Sequence, residues 1–173
     1  MKKVIVLFLL VASSGIMNAQ NAELDKYKSL FTLNFIRYIG WSEEAKEGDF
    51  IIGVLKNSIM AEQLKEKTNG KKLGFQNIVI KEFKNIDEVS DCQTLYVDGR
   101  INYAKNAKLI ASKLNNSNSL IVTEDAGAIS DGSMINFVIV DEKLKFEVSA
   151  NNANKYGLKF SNSLMAMKNA IKV

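Results

Sequence analysis

Two short stretches carry most of the residues that could do chemistry: Asp98-Gly99-Arg100 and Thr123-Glu124-Asp125. Each follows an apolar run of strand length, as Lys56-Asn57 does, and open parallel sheets bind ligands beyond the carboxyl ends of their strands. Asp98, Arg100, Glu124 and Asp125 are therefore one candidate ligand cleft, suited to a small polar molecule. The competing reading makes them loop and cap residues, which is the ordinary turn chemistry of Asp, Gly and Glu. An acid and base acting on a glycosidic bond need carboxyl groups about 5 to 9.5 Å apart. The adjacent pair Glu124 and Asp125 does not readily converge on one bond. The carboxylates lack the spacing of a calcium loop, so no metal and no cofactor is expected.

The chain of 173 residues contains no histidine, which removes the commonest general base and metal ligand. A serine or cysteine triad with a histidine base cannot be built. Cys92 is the one cysteine, so it has no internal disulfide partner. It reads as a small buried hydrophobe at the start of a strand, the alternative being an intermolecular or redox-reactive thiol. Asp91 beside it works against a lowered pKa.

The amino terminus bears on where such chemistry would operate. Lys2 and Lys3, the apolar run Val4 to Val11, and the small and polar run Ser13 to Ala19 have the form of a secretory signal peptide at residues 1–19. The expected cut follows Ala19, with a cut after Ala22 as the fallback. The apolar run falls well short of the ~20 residues that span a bilayer. Removing it leaves residues 20–173 as a single domain and lowers the formal charge from +4 to +2. Arg37 and Arg100 are the only arginines, so nucleic acid is a poor partner. Lys65, Lys67, Lys71 and Lys72 read as a solvated helix end and turn.

The positioning elements alternate. A helix is expected from Glu23 to Ile39, with Leu24, Tyr27, Phe31, Phe35 and Tyr38 at helical spacing and Leu30, Leu33 and Ile36 widening the stripe. Gly40 suits a left-handed cap, with Trp41 folding back on the last turn. Strands at Phe50 to Leu55, Ile78 to Phe83, Thr94 to Val97 and Leu120 to Thr123 alternate with helices at Ser58 to Lys67 and Ile101 to Leu114. That order predicts an α/β three-layer sandwich with a mostly parallel sheet and flanking helices.

A C-terminal β-hairpin completes the sheet. Met134 to Val140 is apolar on both faces apart from Asn136, as an inner strand should be, whereas Leu144, Phe146 and Val148 alternate with Lys145, Glu147 and Ser149. Asp141, Glu142 and Lys143 form the turn. Asn151, Asn152 and Asn154 read as cap and turn residues with no binding role, and Gly157 precedes a last helix around Ser161 to Ile171.

These segments also resemble a known family. DGSMINFVIV from Asp131, LKFEV from Leu144 and YGLKFSNSLM from Tyr156 are similar to the C-terminal signature of the YfiR family of periplasmic proteins. LNFIRYIGW from Leu33, IGVL from Ile52 and CQTLYV from Cys92 fall in that family's order, so the resemblance covers nearly the whole chain after the signal segment. Two features depart from the pattern. Ser42 follows Trp41 where members commonly have proline, and Cys92 stands alone where they commonly have more than one cysteine. The resemblance implies a non-enzymatic periplasmic regulator that binds an inner-membrane signalling protein, typically a diguanylate cyclase, and holds it inactive. An outer-membrane-associated lipoprotein then removes the regulator. A sensor kinase would serve the same physics as a cyclase.

Three roles are compared: a regulator working through protein contacts, a periplasmic small-ligand sensor or solute-binding module using the strand-end cleft, and a carboxylate hydrolase. A regulator needs an exposed apolar surface. The first helix is apolar round more of its circumference than one sheet face can cover, so Tyr27, Phe31, Phe35, Tyr38 and Trp41 are candidates for docking a partner or forming a homodimer. Otherwise the sheet and the last helix, through Leu164, Met167 and Ile171, bury the whole stripe.

Overall fold

The computed structural model describes residues 23–114 and 118–173. The signal segment at 1–19 and its cleavage site lie outside the described residues. Residues 23–35 are helical (α1), and the chain then turns into a two-residue strand, Ile39–Gly40 (β1). Strand β2, Phe50–Leu55, leads to helix α2, Ser58–Thr68, whose first turn is capped by the Asn57 side chain accepting from Met60 N. Strands β3, Lys72–Leu73, and β4, Gln76–Phe83, form a hairpin. Strand β5, Thr94–Val97, helix α3, Tyr103–Lys113, and strand β6, Leu120–Thr123, follow. Strands β7, Ile135–Val140, and β8, Lys143–Val148, make the second hairpin. The chain ends in α4, Ala150–Lys155, β9, Lys159–Phe160, α5, Asn162–Met165, and β10, Ala170–Lys172.

Among the described residues, eight strands form one sheet in the order β10-β8-β7-β6-β5-β2-β4-β3. Strands β4, β2, β5, β6 and β7 run parallel, β3 is antiparallel to β4, β8 is antiparallel to β7, and β10 runs parallel to β8. Strict alternation along the strands divides the core in two. Phe50, Ile52, Val54, Tyr96, Val122, Phe137 and Phe146 pack with residues of α1, α2, α4 and α5 on one face. Leu55, Leu95, Val97 and Ile121 pack with Tyr103 and Ile110 of α3 on the other. The expected three-layer α/β sandwich with a mostly parallel sheet is therefore the observed fold.

Gly53 sits mid-strand because a Cβ there would lie 2.6 Å from the Phe83 ring and 3.0 Å from Cys92 Sγ. The β7–β8 turn places both central residues, Asp141 (φ 50°) and Glu142 (φ 58°), in the left-handed region, which defines a type I′ turn. Lys143 belongs to β8, opposite Val140.

Two expected elements differ, and one element was not expected. The first helix ends at residue 35, because Ile39 and Gly40 pair with Phe160 and Lys159 and this tertiary pairing prevails over helix propagation. Gly40 is thus extended and not a left-handed cap. The last helix is reduced to α5, and the residues beyond it pair along β8, where Phe146 N would otherwise face an open edge and instead donates to Asn169 O at 3.0 Å. The β3–β4 hairpin has too short a first strand to show as a periodic run.

Candidate functional site

The buried face of α1 is polar. Asp25, Ser29 and Thr32, spaced to share one helix face with Ile36, are 7 %, 0 % and 0 % exposed. The apolar Tyr27 and Leu30 project from the opposite side at 48 % and 43 %, and Tyr38, just past the helix, stands at 37 %. Apolar docking of α1 comes from one flank. Phe35 is fully buried with its ring 4.7 Å from that of Phe146, and the half-buried Phe31 lies 5.3 Å from Phe146. Trp41 is half-buried, donates from Nε1 to Ile36 O at 2.9 Å and meets Phe50 edge-on at 5.0 Å. It closes the end of the α1 segment as expected, by a hydrogen bond and an aromatic contact. Of the five candidate surface residues, Tyr27 and Tyr38 are therefore outward, Phe31 and Trp41 half-buried, and Phe35 is a correction: it belongs to the core.

The polar face of α1 sits over the carboxyl ends of the parallel strands. Lys28 reaches both Asp25, 3.6 Å away, and Glu124, with which it forms a tight ion pair. Tyr96 donates from its hydroxyl to the other Glu124 oxygen at 2.8 Å, and Asn57 Nδ2 donates to Asp25 at 3.2 Å. Burial, reinforced by the Glu124 charge, pushes the Tyr96 phenol far above its ordinary pKa, so it remains a donor at any physiological pH. Arg100 forms the second half of the cluster. It donates to Asp98 Oδ1 at 2.6 Å and to the Lys56 carbonyl, and the Asp98 hydrogen bond raises its pKa further.

Asp98, Arg100 and Glu124 thus line one cleft of about 580 Å³ together with Asp25, Lys28 and Asn57. Asp125 does not line it. Its carboxylate accepts from Tyr103 N at 2.8 Å and caps the start of α3. The cleft's ionic groups are satisfied by one another, which makes the arrangement a clamp holding α1 to the sheet. Among the described residues, no group of three or more His, Cys, Asp or Glu side chains could hold a metal ion. Asp25, Lys28 and Tyr96 were missed by sequence reasoning. The available signal was the spacing Asp25, Ser29, Thr32, a polar stripe at helical period inside an apolar helix.

The apolar side of α1 continues into a groove of about 360 Å³ lined by Leu24, Phe137, Ile139 and Leu144. Ile139, on the α1 side of the sheet, is 57 % exposed. Behind it the signature strand is held by a polar hub. Asn136 accepts from Thr123 Oγ1 at 2.8 Å and Asp125 N at 3.1 Å, and donates to Glu147 at 2.9 Å. Asn152 ties the carbonyls of Ile129 and Ser133 at 2.7 and 2.8 Å. Asn152 is thus structural, but it lies with the exposed Asn151 and Asn154 inside α4, whose cap is Ser149 and not an asparagine; the Met-Ile-Asn and Phe-Glu pieces of the signature touch each other.

No curated protein matches the chain. The YfiR/HmsC-like family profile matches residues 25–168, a span that runs from the buried Asp25 to just short of β10. The sheet apart from β10, the polar hub and the α1 clamp all lie within it, and the chain belongs to the YfiR/HmsC-like family, a regulatory rather than a catalytic family linked to cyclic-di-GMP signalling.

Proposed function

We propose that this protein is an exported, periplasmic regulator that binds the outward-facing part of an inner-membrane signalling protein, a diguanylate cyclase or a sensor kinase, and holds it inactive. The contact surface is the outer side of α1 with Tyr27, Leu30 and Tyr38, continued by Ile139 beside it. The observation that carries this reading is the inverted amphipathicity of α1. A helix that buries Asp25, Ser29 and Thr32 and docks its apolar side through one flank alone, at Phe31 and Phe35, leaves Tyr27 and Leu30 outside the core. Such an arrangement is kept where the outward residues have another use. An outer-membrane-associated lipoprotein that covered the same surface would release the partner.

The cleft behind α1 favours this role over that of a ligand sensor. Lys28, Asp25 and Glu124 are shielded and already paired with one another, so a ligand reaching them would have to break those pairs, and Arg100 at the mouth, its side chain 65 % exposed, is paired with Asp98. The clamp instead presents α1 as a rigid surface, which reduces the ordering cost of association.

The test is a pair of charge insertions. Leu30→Lys places a cation on the proposed surface, and Leu109→Lys places one at an equally exposed site on α3, across the sheet; both leucines are 43 % exposed. Both variants should unfold within about 0.5 kcal/mol of the parent. Only Leu30→Lys should lose recovery of an inner-membrane protein in a pull-down and raise the output of that partner in cells. Equal recovery for both variants would refute the assignment.

A further inference from the structure

Far from α1, at the edge of the sheet, the β3–β4 hairpin exposes Phe75 completely, at 100 %. Leu73 and Gln76 are paired, and Gly74 (φ 59°) with Phe75 forms the two-residue link between them, a type II′ turn with glycine in its first central position. Nothing in that turn type asks for phenylalanine in the second. The tip is also held in place. Gln76 is buried, and its carboxamide donates to the carbonyls of Ala45 at 3.1 Å and Glu47 at 3.4 Å. The ring is therefore presented on a braced support.

Lysines gather on one side of it. Lys65 and Lys67 stand in the last turn of α2 and Lys71 and Lys72 lead into the turn, with Glu66 the single acid between residues 63 and 77. A groove of about 390 Å³ between the end of α2 and β4 is lined by Lys65, Lys71 and Lys72 along with Ile78 and Ile80. On its other side the hairpin meets an acidic segment: Gln76 bonds the Glu47 carbonyl, and Asp49 accepts from Asn77 at 3.1 Å.

We propose that the β3–β4 tip is an anchor for an anionic lipid bilayer. Phe75 enters the boundary between headgroups and acyl chains, and Lys65, Lys71 and Lys72 lie over the lipid phosphates. A protein hot spot is a well-packed aromatic set into a complementary pocket and ringed by contacts that exclude water. Phe75 is instead a lone ring flanked on one side by flexible lysines, which suits a fluid, negatively charged surface that needs no shape complementarity. One aromatic with a short polybasic patch gives weak, reversible attachment. The inference rests on the hairpin alone and stands whether or not α1 is the partner surface.

The protein recovered after export, its N-terminus fixed by intact mass, is floated with phosphatidylcholine vesicles and with vesicles containing about 30 % phosphatidylglycerol. The expected result is binding to the anionic vesicles that is at least about tenfold stronger than to neutral ones and is lost at high salt. Phe75→Ser, and separately the double change Lys71→Glu/Lys72→Glu, should each weaken it about tenfold without moving the thermal midpoint. Absence of binding by the parent, or Phe75→Ser floating like the parent, would overturn the proposal. So would a Phe75→Ser variant whose sole defect is lost self-association or lost recovery of a protein partner, since the tip would then dock protein.

Discussion

Replacing Lys28 by methionine should destabilise the protein by about 3 kcal/mol. The Lys28 side chain is 12 % exposed and stands between Asp25 and Glu124, whose side chains are 11 % and 15 % exposed. Removing one partner of a buried ion pair costs about 3 to 5 kcal/mol, because a desolvated charge is left without its counter-ion. The lower end applies because Glu124 keeps the Tyr96 hydroxyl at 2.8 Å and Asp25 keeps Asn57 at 3.2 Å. A loss of that size is a large fraction of the roughly 5 to 15 kcal/mol that holds a domain together. Urea unfolding of the parent, Lys28→Met, Glu124→Gln and the double variant measures it. The double variant removes both charges, so it should be clearly less destabilised than the sum of the singles, with a coupling above about 1 kcal/mol. Raising the salt should change little, since a shielded pair is screened far less than an exposed one. A Lys28→Met cost below about 0.5 kcal/mol, or an additive cycle, would show that α1 is not clamped by charge.

Burial pushes the Cys92 thiol up to about 12, against an ordinary value of about 8.5. At pH 8 its thiolate is scarce, and native alkylation should run at least about a thousandfold slower than in denaturant, a comparison refuted by rates within about tenfold. The same shift contributes stability that is complete below about pH 8.5 and is lost as pH rises toward about 12. Glu142→Gly should stabilise the protein by about 1 kcal/mol, because Glu142 holds φ 58° in the type I′ turn, where an L side chain is strained. Calorimetry should show a higher midpoint; a lower one would contradict the turn assignment.

Much of this fold was legible because its central strands are continuous apolar runs bounded by turn residues. Thr94–Val97 and Leu120–Thr123 fall where the pattern puts them, and Asn136, the one polar residue in its strand, proved to be a hydrogen-bond hub. What was hidden depends on partners distant in sequence. Ala170–Lys172 is a strand because β8 offers an open edge, which no local signal announces. Lys72–Leu73 is too short to carry a period. The cleft was half legible: Asp98, Arg100 and Glu124 converge as strand ends should, while Asp125 turned to cap α3. Asp25 and Lys28 escaped notice because an apolar stripe in a helix is read as its buried side, and here the helix buries a polar stripe beside Phe35 while part of its apolar stripe faces out.

The outward-facing α1 surface is the central claim, and site-specific photocrosslinking in intact cells tests it most directly. A photoreactive amino acid is placed at position 30 on α1 or at position 109 on α3, two sites that are each 43 % exposed on opposite sides of the sheet. The account predicts a covalent adduct with an inner-membrane protein from position 30 and none from position 109. An adduct from position 109 alone, or the same adduct from both, would contradict it.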